Sequence, residues 1–267
     1  MRDAQRRTWL IRASAALHLL ALAVVLTEPA LWPGALAGVA LNHLLIAAIG
    51  LWPRSHWLGP NWTRLPAAAV ARHEIALTID DGPDPVVTPL VLDLLDRYAV
   101  QATFFCIGEK AARHPDLCRD IVRRGHAVEN HSQHHRHYFS MMGLRGMARE
   151  LQAAQDTLTA ITGQRPLFFR APAGLRNPFL DPVLTRLGLK LASWSVRGFD
   201  TRTSDAERVQ SKLLGGMQAG AILLRHDGHA ARTPLGIPVV LAVLPALLTC
   251  AASAGLRFVT LRQASLP

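Results

Sequence analysis

Two long apolar runs open the chain, and short apolar stretches alternating with helical periodicity fill the rest. From Trp9 to Leu26 only Arg12, Ser14 and His18 interrupt the apolar positions. From Ala30 to Trp52 there is no formal charge, with Asn42 and His43 the notable polar residues. A hydrocarbon layer about 30 Å thick takes roughly 20 apolar residues as a helix, so the second run spans it and the first does so marginally. Trp9, Trp32, Trp52 and Trp57 fall at the ends of the runs, where an aromatic belt places them, and Arg12 can snorkel to the headgroups. The pattern predicts a two-helix transmembrane hairpin in residues 1–53, a linker over 54–72, and a folded domain over 73–267.

From His73 the periodicity changes. Glu74–Asp80 alternates with period two and ends in Asp81-Gly82-Pro83, which reads as a strand and a turn. Further strands are expected at Ala102–Ile107, His126–Glu129, Leu167–Arg170, Lys190–Val196, Ala221–Leu224 and Leu256–Leu261. Between them, helical spacing covers Pro89–Tyr98, Asp116–Arg124, Leu144–Ile161, Pro178–Leu187, Asp205–Met217 and Pro238–Ala252, several closed by Gly125, Gly163, Gly188 or Gly255. Repeated strand–helix units imply an α/β fold with a largely parallel sheet, and about seven strands favour a closed or distorted barrel over an open sheet. No glycine-rich phosphate loop opens the first helix, which disfavours a nucleotide enzyme.

Composition sharpens this in three places. Half of the 267 residues are hydrophobic, which excludes intrinsic disorder, and three cysteines are too few for a disulfide scaffold. The odd cysteine count fits a reducing compartment. The net charge of +10 resembles a nucleic-acid footprint, but only Lys110, Lys190 and Lys212 are lysines. An arginine skew of that kind follows from genome composition, so no nucleic-acid partner is expected. Seven arginines and two acids occupy residues 1–72, flanking the apolar runs, while Thr27-Glu28-Pro29 between them holds no cation. By the positive-inside rule this predicts a multi-pass inner-membrane anchor with both ends, and the main domain, in the cytoplasm. A signal peptide, an interfacial helix and a buried soluble hairpin are the competing readings. The absence of a convincing cleavage site argues against the first.

Polar residues collect where the strands end, the edge on which parallel α/β folds build sites. Asp80 and Asp81 form one cluster; two adjacent carboxylates call for a cation or metal, although Asp-Gly-Pro is also an ordinary turn. Asn130-His-Ser-Gln-His-His-Arg-His137 is the second. His131 and His135, four apart, share a face if they lie on a helical turn and can then grip one metal, while His134 and His137 point elsewhere. Asp81 can complete a set of two histidines and one carboxylate, which serves catalytic zinc and ferrous oxygenases alike. Arg170 ends its strand, Asp200 follows the strand carrying Trp194, and His226 follows the strand Ala221–Leu224.

With these residues the sequence resembles the polysaccharide deacetylases of the NodB-homology group (carbohydrate esterase family 4) from about Glu74 to Leu261. Thr78-Ile-Asp-Asp-Gly-Pro83, His131-Ser-Gln-His-His135 and Arg170-Ala-Pro-Ala-Gly174 match three of its motifs in order. Ala102-Thr-Phe-Phe105 and Gly125-His126 with Asn130 are further landmarks. The resemblance implies a distorted (β/α) barrel and a divalent metal, zinc with cobalt or nickel as alternatives, held by Asp81, His131 and His135. It implies Asp80 as general base towards a metal-bound water, Arg170 orienting Asp80, His226 as the acid for the leaving amine, and Asp200 holding His226. The substrate class it implies is an N-acylated amino sugar in a polysaccharide, oligosaccharide or lipid-linked glycan. One departure stands out: the fourth motif normally ends Asp-Trp and here reads Asp200-Thr201, so the sugar pocket is expected to differ from that for a chitin-type oligomer. Arg197 and Arg225, beside these motifs, are open between contact with an anionic group and a plain surface role. A two-histidine oxygenase and a catalytically idle protein of the same fold are the alternative functions. Oligomeric state is not legible.

Overall fold

The computed structural model describes residues 2–266, with side chains from Trp9 onwards. Eleven helices and eight strands are assigned among them. The strands are β1 (Glu74–Gly82), β2 (Thr103–Cys106), β3 (Ala127–Asn130), β4 (Phe168–Phe169), β5 (Lys190–Leu191), β6 (Val196–Arg197), β7 (Ile222–His226) and β8 (Arg257–Phe258). The helices begin with α1 (Arg2–Thr27), α2 (Trp32–Gly50), α3 (Ala67–Ala71), α4 (Val87–Arg97), α5 (Gly108–Arg113) and α6 (Pro115–Arg123). They continue with α7 (Leu144–Thr162), α8 (Leu180–Leu187), α9 (Ala206–Gly215), α10 (Val239–Ser253) and α11 (Leu261–Ala264).

The strands pair in the order β5-β4-β3-β2-β1-β7-β6, with β8 also on β1, and every pairing is parallel. Laid flat, six inter-strand spacings would separate β5 from β6 by about 29 Å. The chain between them, Ala192–Ser195, spans at most about 18 Å from Leu191 to Val196. The sheet must therefore curl into a barrel whose two edges stay unpaired, an open version of the expected barrel. The alternation of β1 divides its two faces. Ile75, Leu77 and Ile79 pack outwards with Val91, Leu92 and Leu95 of α4 and Val240, Leu244 and Leu248 of α10. Ala76 faces inwards to Phe105, Phe168, Ile222 and Leu224.

Several boundaries differ from the sequence pattern for identifiable reasons. The segment Lys190–Val196 is not one strand, because Ala192–Ser195 crosses the gap and Arg170 takes the carbonyls of Ala192 and Ser193. The run Leu256–Leu261 stops at Phe258, where Thr260 and Gln263 form a capping box that starts α11. Gly163 and Gly188 close α7 and α8 in the left-handed conformation, as their positions suggested.

Residues 54–72, read from the sequence as a linker, lie packed on the barrel. Leu58, Leu65 and Ala69 are buried, Trp62 N–H donates to the Leu191 carbonyl, and Leu65 N–H donates to Gly220. In the hairpin, Asn42 Nδ2 donates to Ser14 Oγ at 2.8 Å and the rings of His18 and His43 meet edge to face. The polar residues of the two runs thus face each other, while Leu19, Leu20, Leu22, Leu41, Leu44 and Leu45 are exposed. Both helices are long and apolar enough to cross a membrane. The side chains of Arg2, Arg6 and Arg7, part of the basic flank, lie outside the described residues.

Candidate functional site

Asp80 and Asp81 stand where β1 runs out of the barrel, and a bulge between Asp80 and Gly82 sends them in different directions. Asp81 takes φ 72°, a left-handed conformation that aspartate tolerates better than most residues. Such outliers gather here: Ser132, His135, Ala173, Phe199 and His229 also have positive φ. Each costs on the order of 1–3 kcal/mol and persists only where the surroundings over-determine it.

His131 and His135 do not lie on a helical turn. They sit in the loop after β3, where Ser132 (φ 64°) and His135 (φ 49°) fold the chain back. Asn130 organises the loop: its Oδ1 accepts from Ser132 N–H, and its Nδ2 donates to the Leu151 carbonyl and to Gln155 Oε1 of α7. Ser132 Oγ in turn accepts from His135 N–H. The convergence expected from helical spacing is thus reached by an asparagine-nucleated turn. His134 is exposed and paired with Glu150, and His137 is exposed.

Both histidines aim Nε2 at Asp81 Oδ1, each at 3.2 Å. His131 Nδ1 donates to the Arg170 carbonyl at 2.8 Å, which fixes the tautomer and leaves Nε2 carrying the lone pair. A lone pair facing a carboxylate oxygen at that distance is stabilised by a cation between them. Asp81, His131 and His135 place three ligand atoms within 4.8 Å of one another, so the donor set fits a divalent metal. Burial alone would raise the Asp81 carboxyl, but the imidazoles of His131, His229 and His226 around it hold it far below the usual range. Burial pulls His135 down to about 4, which keeps it neutral and able to ligate.

Asp80 is bound from the opposite side. Arg170, fully buried at the end of β4, donates from Nη1 to Asp80 Oδ1 at 2.6 Å and to Thr78 Oγ1 at 2.8 Å. Its Nε and Nη2 reach the carbonyls of Ala192 and Ser193, and its plane lies 4.2 Å from the Phe105 ring centroid. Arg170 therefore fills the gap between the barrel edges while presenting Asp80. His226 is the register partner of Asp80 on β7. Its Nδ1 donates to Asp200 Oδ1 at 2.9 Å, and its backbone N–H to Oδ2 at 2.8 Å. Burial would lower His226, but Asp200, with Asp80 and Asp81, raises it above the ordinary imidazole value. Burial would raise Asp200, but Arg225 and His226 bring it down.

All seven expected site residues thus meet at one edge of the barrel. Arg225 is not a surface residue: it is a fully buried residue of β7 whose counter-charge is Asp200 at 3.7 Å. Arg197 is half-buried between two aromatic rings. His126 lies behind the site against Phe104, accepting from Ala102 N–H, with burial lowering it to about 4. Three neighbours escaped the sequence reading. Lys110 Nζ donates to the Asp81 carbonyl, His229 stands 3.7 Å from Asp81, and buried Asp227 binds Thr88 and Gly228 N–H beneath Gly82. Asp227 and His229 flank Gly228 directly after His226, a signal that could have been taken; Lys110 had only the rarity of lysine.

The loop after Arg170 joins this edge to the hairpin. Gly174 (φ 75°) leaves no room for a side chain: a Cβ would stand 2.6 Å from Trp194 and 2.7 Å from Pro53. Arg176 N–H donates to the Gly50 carbonyl, and Ser193 Oγ donates to Pro53. The end of α2 is therefore fixed beside the site.

Comparison with known proteins agrees with this layout. The polysaccharide deacetylase profile matches residues 67–192, ending before Asp200 and His226. A chitooligosaccharide deacetylase from Bradyrhizobium sp. (strain ANU 289) is 36% identical over 155 residues, covering 58% of this chain and 71% of the relative. The crystal structure of a peptidoglycan N-acetylglucosamine deacetylase superposes with TM-score 0.69 at 26% identity, over 76% of this chain and 92% of that one. A pseudoenzyme of carbohydrate esterase family 4 from Bacillus anthracis shares the fold at TM-score 0.65 and 20% identity, over 72% and 65% of the two chains. The barrel therefore does not separate active members from idle ones, and that distinction rests on side chains. Similarity that runs through the barrel and its first three motifs places this chain in the polysaccharide deacetylase family.

Proposed function

We propose that the protein is a metal-dependent N-deacetylase of amino sugars, with Asp81, His131 and His135 as the metal ligands. The carrying observation is the juxtaposition of three units: the metal-ligand set, the Asp80–Arg170 ion pair, and the Asp200–His226 pair on the adjacent strand. A bound divalent ion, zinc by its nitrogen and oxygen donors, supplies a polarised acyl carbonyl and a more acidic water. Asp80 keeps one oxygen on Arg170 and offers Oδ2, 4.0 Å from His131 Nε2, to take the proton of the attacking water. Arg170 holds that carboxylate in place. His226, protonated and oriented by Asp200, gives its Nε2 proton to the departing amine nitrogen as the C–N bond breaks. Water enters, and acetate and a free amine leave.

An oxygenase with the same ligands has no use for an Asp80–Arg170 pair or for an Asp200–His226 pair. An idle protein is at odds with the completeness of the set. The test is release of acetate from a panel of free, oligomeric and lipid-linked N-acetylated amino sugars. Chelation should abolish release and added zinc should restore it. Failure of zinc to restore any release would remove the proposal.

The hairpin is read as a membrane anchor. Asn42 and Ser14 hydrogen-bond between the helices and the rings of His18 and His43 meet there, as expected of polar residues in a bilayer, and the outer faces are leucine-rich. The arginine flanks put the catalytic domain on the cytoplasmic side of the inner membrane. Alkaline phosphatase fused after Pro267 should be inactive in intact cells. An active fusion would place the domain outside.

A further inference from the structure

Arg197 carries a charge that the site itself does not use. It ends β6 at the edge where the catalytic side chains meet, and its guanidinium carbon lies 5.4 Å from the Trp194 ring centroid and 5.0 Å from that of Phe199. Its Nε is buried without a hydrogen-bond partner, and among the described residues no carboxylate comes within ion-pair distance of it. Asp80, Asp81 and Asp200 are within its electrostatic reach, but each is already engaged: Asp80 by Arg170, Asp81 by two histidines, Asp200 by His226 and Arg225. Arg202 adds a second cation nearby. A planar guanidinium clamped between aromatic faces, with donors unclaimed, is built to receive an oxyanion in a fixed orientation.

The second observation is where this cation sits. Arg54, four residues beyond the end of α2, donates from Nη1 to the Ser195 carbonyl at 3.3 Å, two residues before Arg197. Pro53 accepts from Ser193 and lies against the loop that carries Gly174. The segment that carries Arg197 thus touches the chain leaving the second apolar helix on one side and pairs with β7, the strand of His226, on the other. Thr201, directly after Asp200, holds a small side chain where the family motif has an indole. A neutral glycan offers a guanidinium only hydroxyls and carbonyls, whereas a phosphate satisfies its charge and its fork together.

We propose that the site takes an N-acylated amino sugar bearing a phosphate, and that Arg197 holds this phosphate while the acyl group lies between Asp80 and His226. The proposal rests on the deacetylase reading above. The phosphate can be that of a lipid-linked sugar at the membrane surface or that of a soluble sugar phosphate. The alternative role for Arg197 is a stacking strut between Trp194 and Phe199, which would affect stability but not the choice among substrates.

The test uses the full-length, zinc-loaded chain in phosphatidylcholine vesicles with three substrates: N-acetylglucosamine joined through phosphate to a polyprenol, soluble N-acetylglucosamine 1-phosphate, and neutral N-acetylated chitotriose. The wild-type ratio of kcat/KM for phosphorylated over neutral substrate should exceed about tenfold, the value of one charge-assisted contact. Arg197→Gln should lower that ratio by about tenfold or more, and Arg197→Lys by less. Preference for the polyprenol-linked sugar assigns the phosphate to the membrane, and equal use of both assigns it to the soluble pool. A wild-type ratio near one, or a ratio unmoved by Arg197→Gln, overturns the proposal. Equilibrium dialysis with N-acetylglucosamine 1-phosphate keeps the two readings apart, because it needs no turnover. Acetate released from none of the three substrates defeats the deacetylase reading alone, whereas equal binding of the sugar phosphate by wild type and Arg197→Gln defeats this one.

Discussion

Asp80→Asn should reduce acetate release by about 10²–10⁴-fold while leaving the metal in place, the span usual for loss of a positioned general base. The amide has nearly the carboxylate's shape and can still accept the hydrogen bond of Arg170 Nη1, so the geometry around Thr78 and Ser193 persists. What disappears is the negative charge and the capacity of Oδ2 to take a proton. The proposed metal ligands are held independently: His131 by the Arg170 carbonyl, His135 through Ser132, and Asp81 by the backbone of β1 and Lys110. Bound zinc should therefore stay close to one per chain. Stability is the second readout. Arg170 is fully buried and Asp80 is its ion-pair partner among the described residues, so the variant leaves an uncompensated cation in the barrel. Breaking such a pair costs about 3–5 kcal/mol, and Tm should fall accordingly. Activity within about tenfold of wild type, with zinc retained and the chain folded, would remove Asp80 from the chemistry.

How much of this was visible beforehand depends on the kind of contact. The alternation in Glu74–Asp80 and the glycines at 163 and 188 report on local backbone and burial, and the helices and first strand lie where those signals put them. Lys190–Val196 misled because the residue types of a strand-like segment do not reveal that its middle carbonyls are claimed by an arginine from another strand. For His131 and His135, the spacing of four pointed to one shared face, and a turn built on Asn130 reached the same convergence by a different backbone path. Asp81, His131 and His135 could be picked out as a candidate donor set because metal chemistry restricts residue type so strongly, and the structure brings their donor atoms together. Arg225 was not, since nothing local distinguishes a buried counter-charge from one more arginine in an arginine-rich chain. Residues 54–72 looked like a linker because they lack periodicity, yet single residues such as Trp62 and Leu65 dock them on the barrel through contacts distant in sequence.

The Asp200–His226 pair leads to the other large effect, and its sign follows from the groups around it. His226→Ala removes the donor to the leaving amine and should lower kcat by about 10²–10⁴-fold at neutral pH. Asp200→Asn acts through the titration of the same imidazole. In the wild type, burial pulls His226 down and Asp200 more than restores it, so its value lies above the ordinary 6.5. Proton donation requires the charged form, so His226 sets the basic limb, and activity falls as pH rises through that raised value. Without the Asp200 charge, burial prevails, the imidazole loses its proton at lower pH, and the basic limb of kcat/KM should move towards acid. Arg225 complicates the single variant, because its buried guanidinium then loses the carboxylate 3.7 Å away. Asp200→Asn combined with Arg225→Met removes both charges and keeps the volume, separating the titration effect from misfolding. If the basic limb stays in place in the folded double variant, the proton reaching the amine comes from a group other than His226.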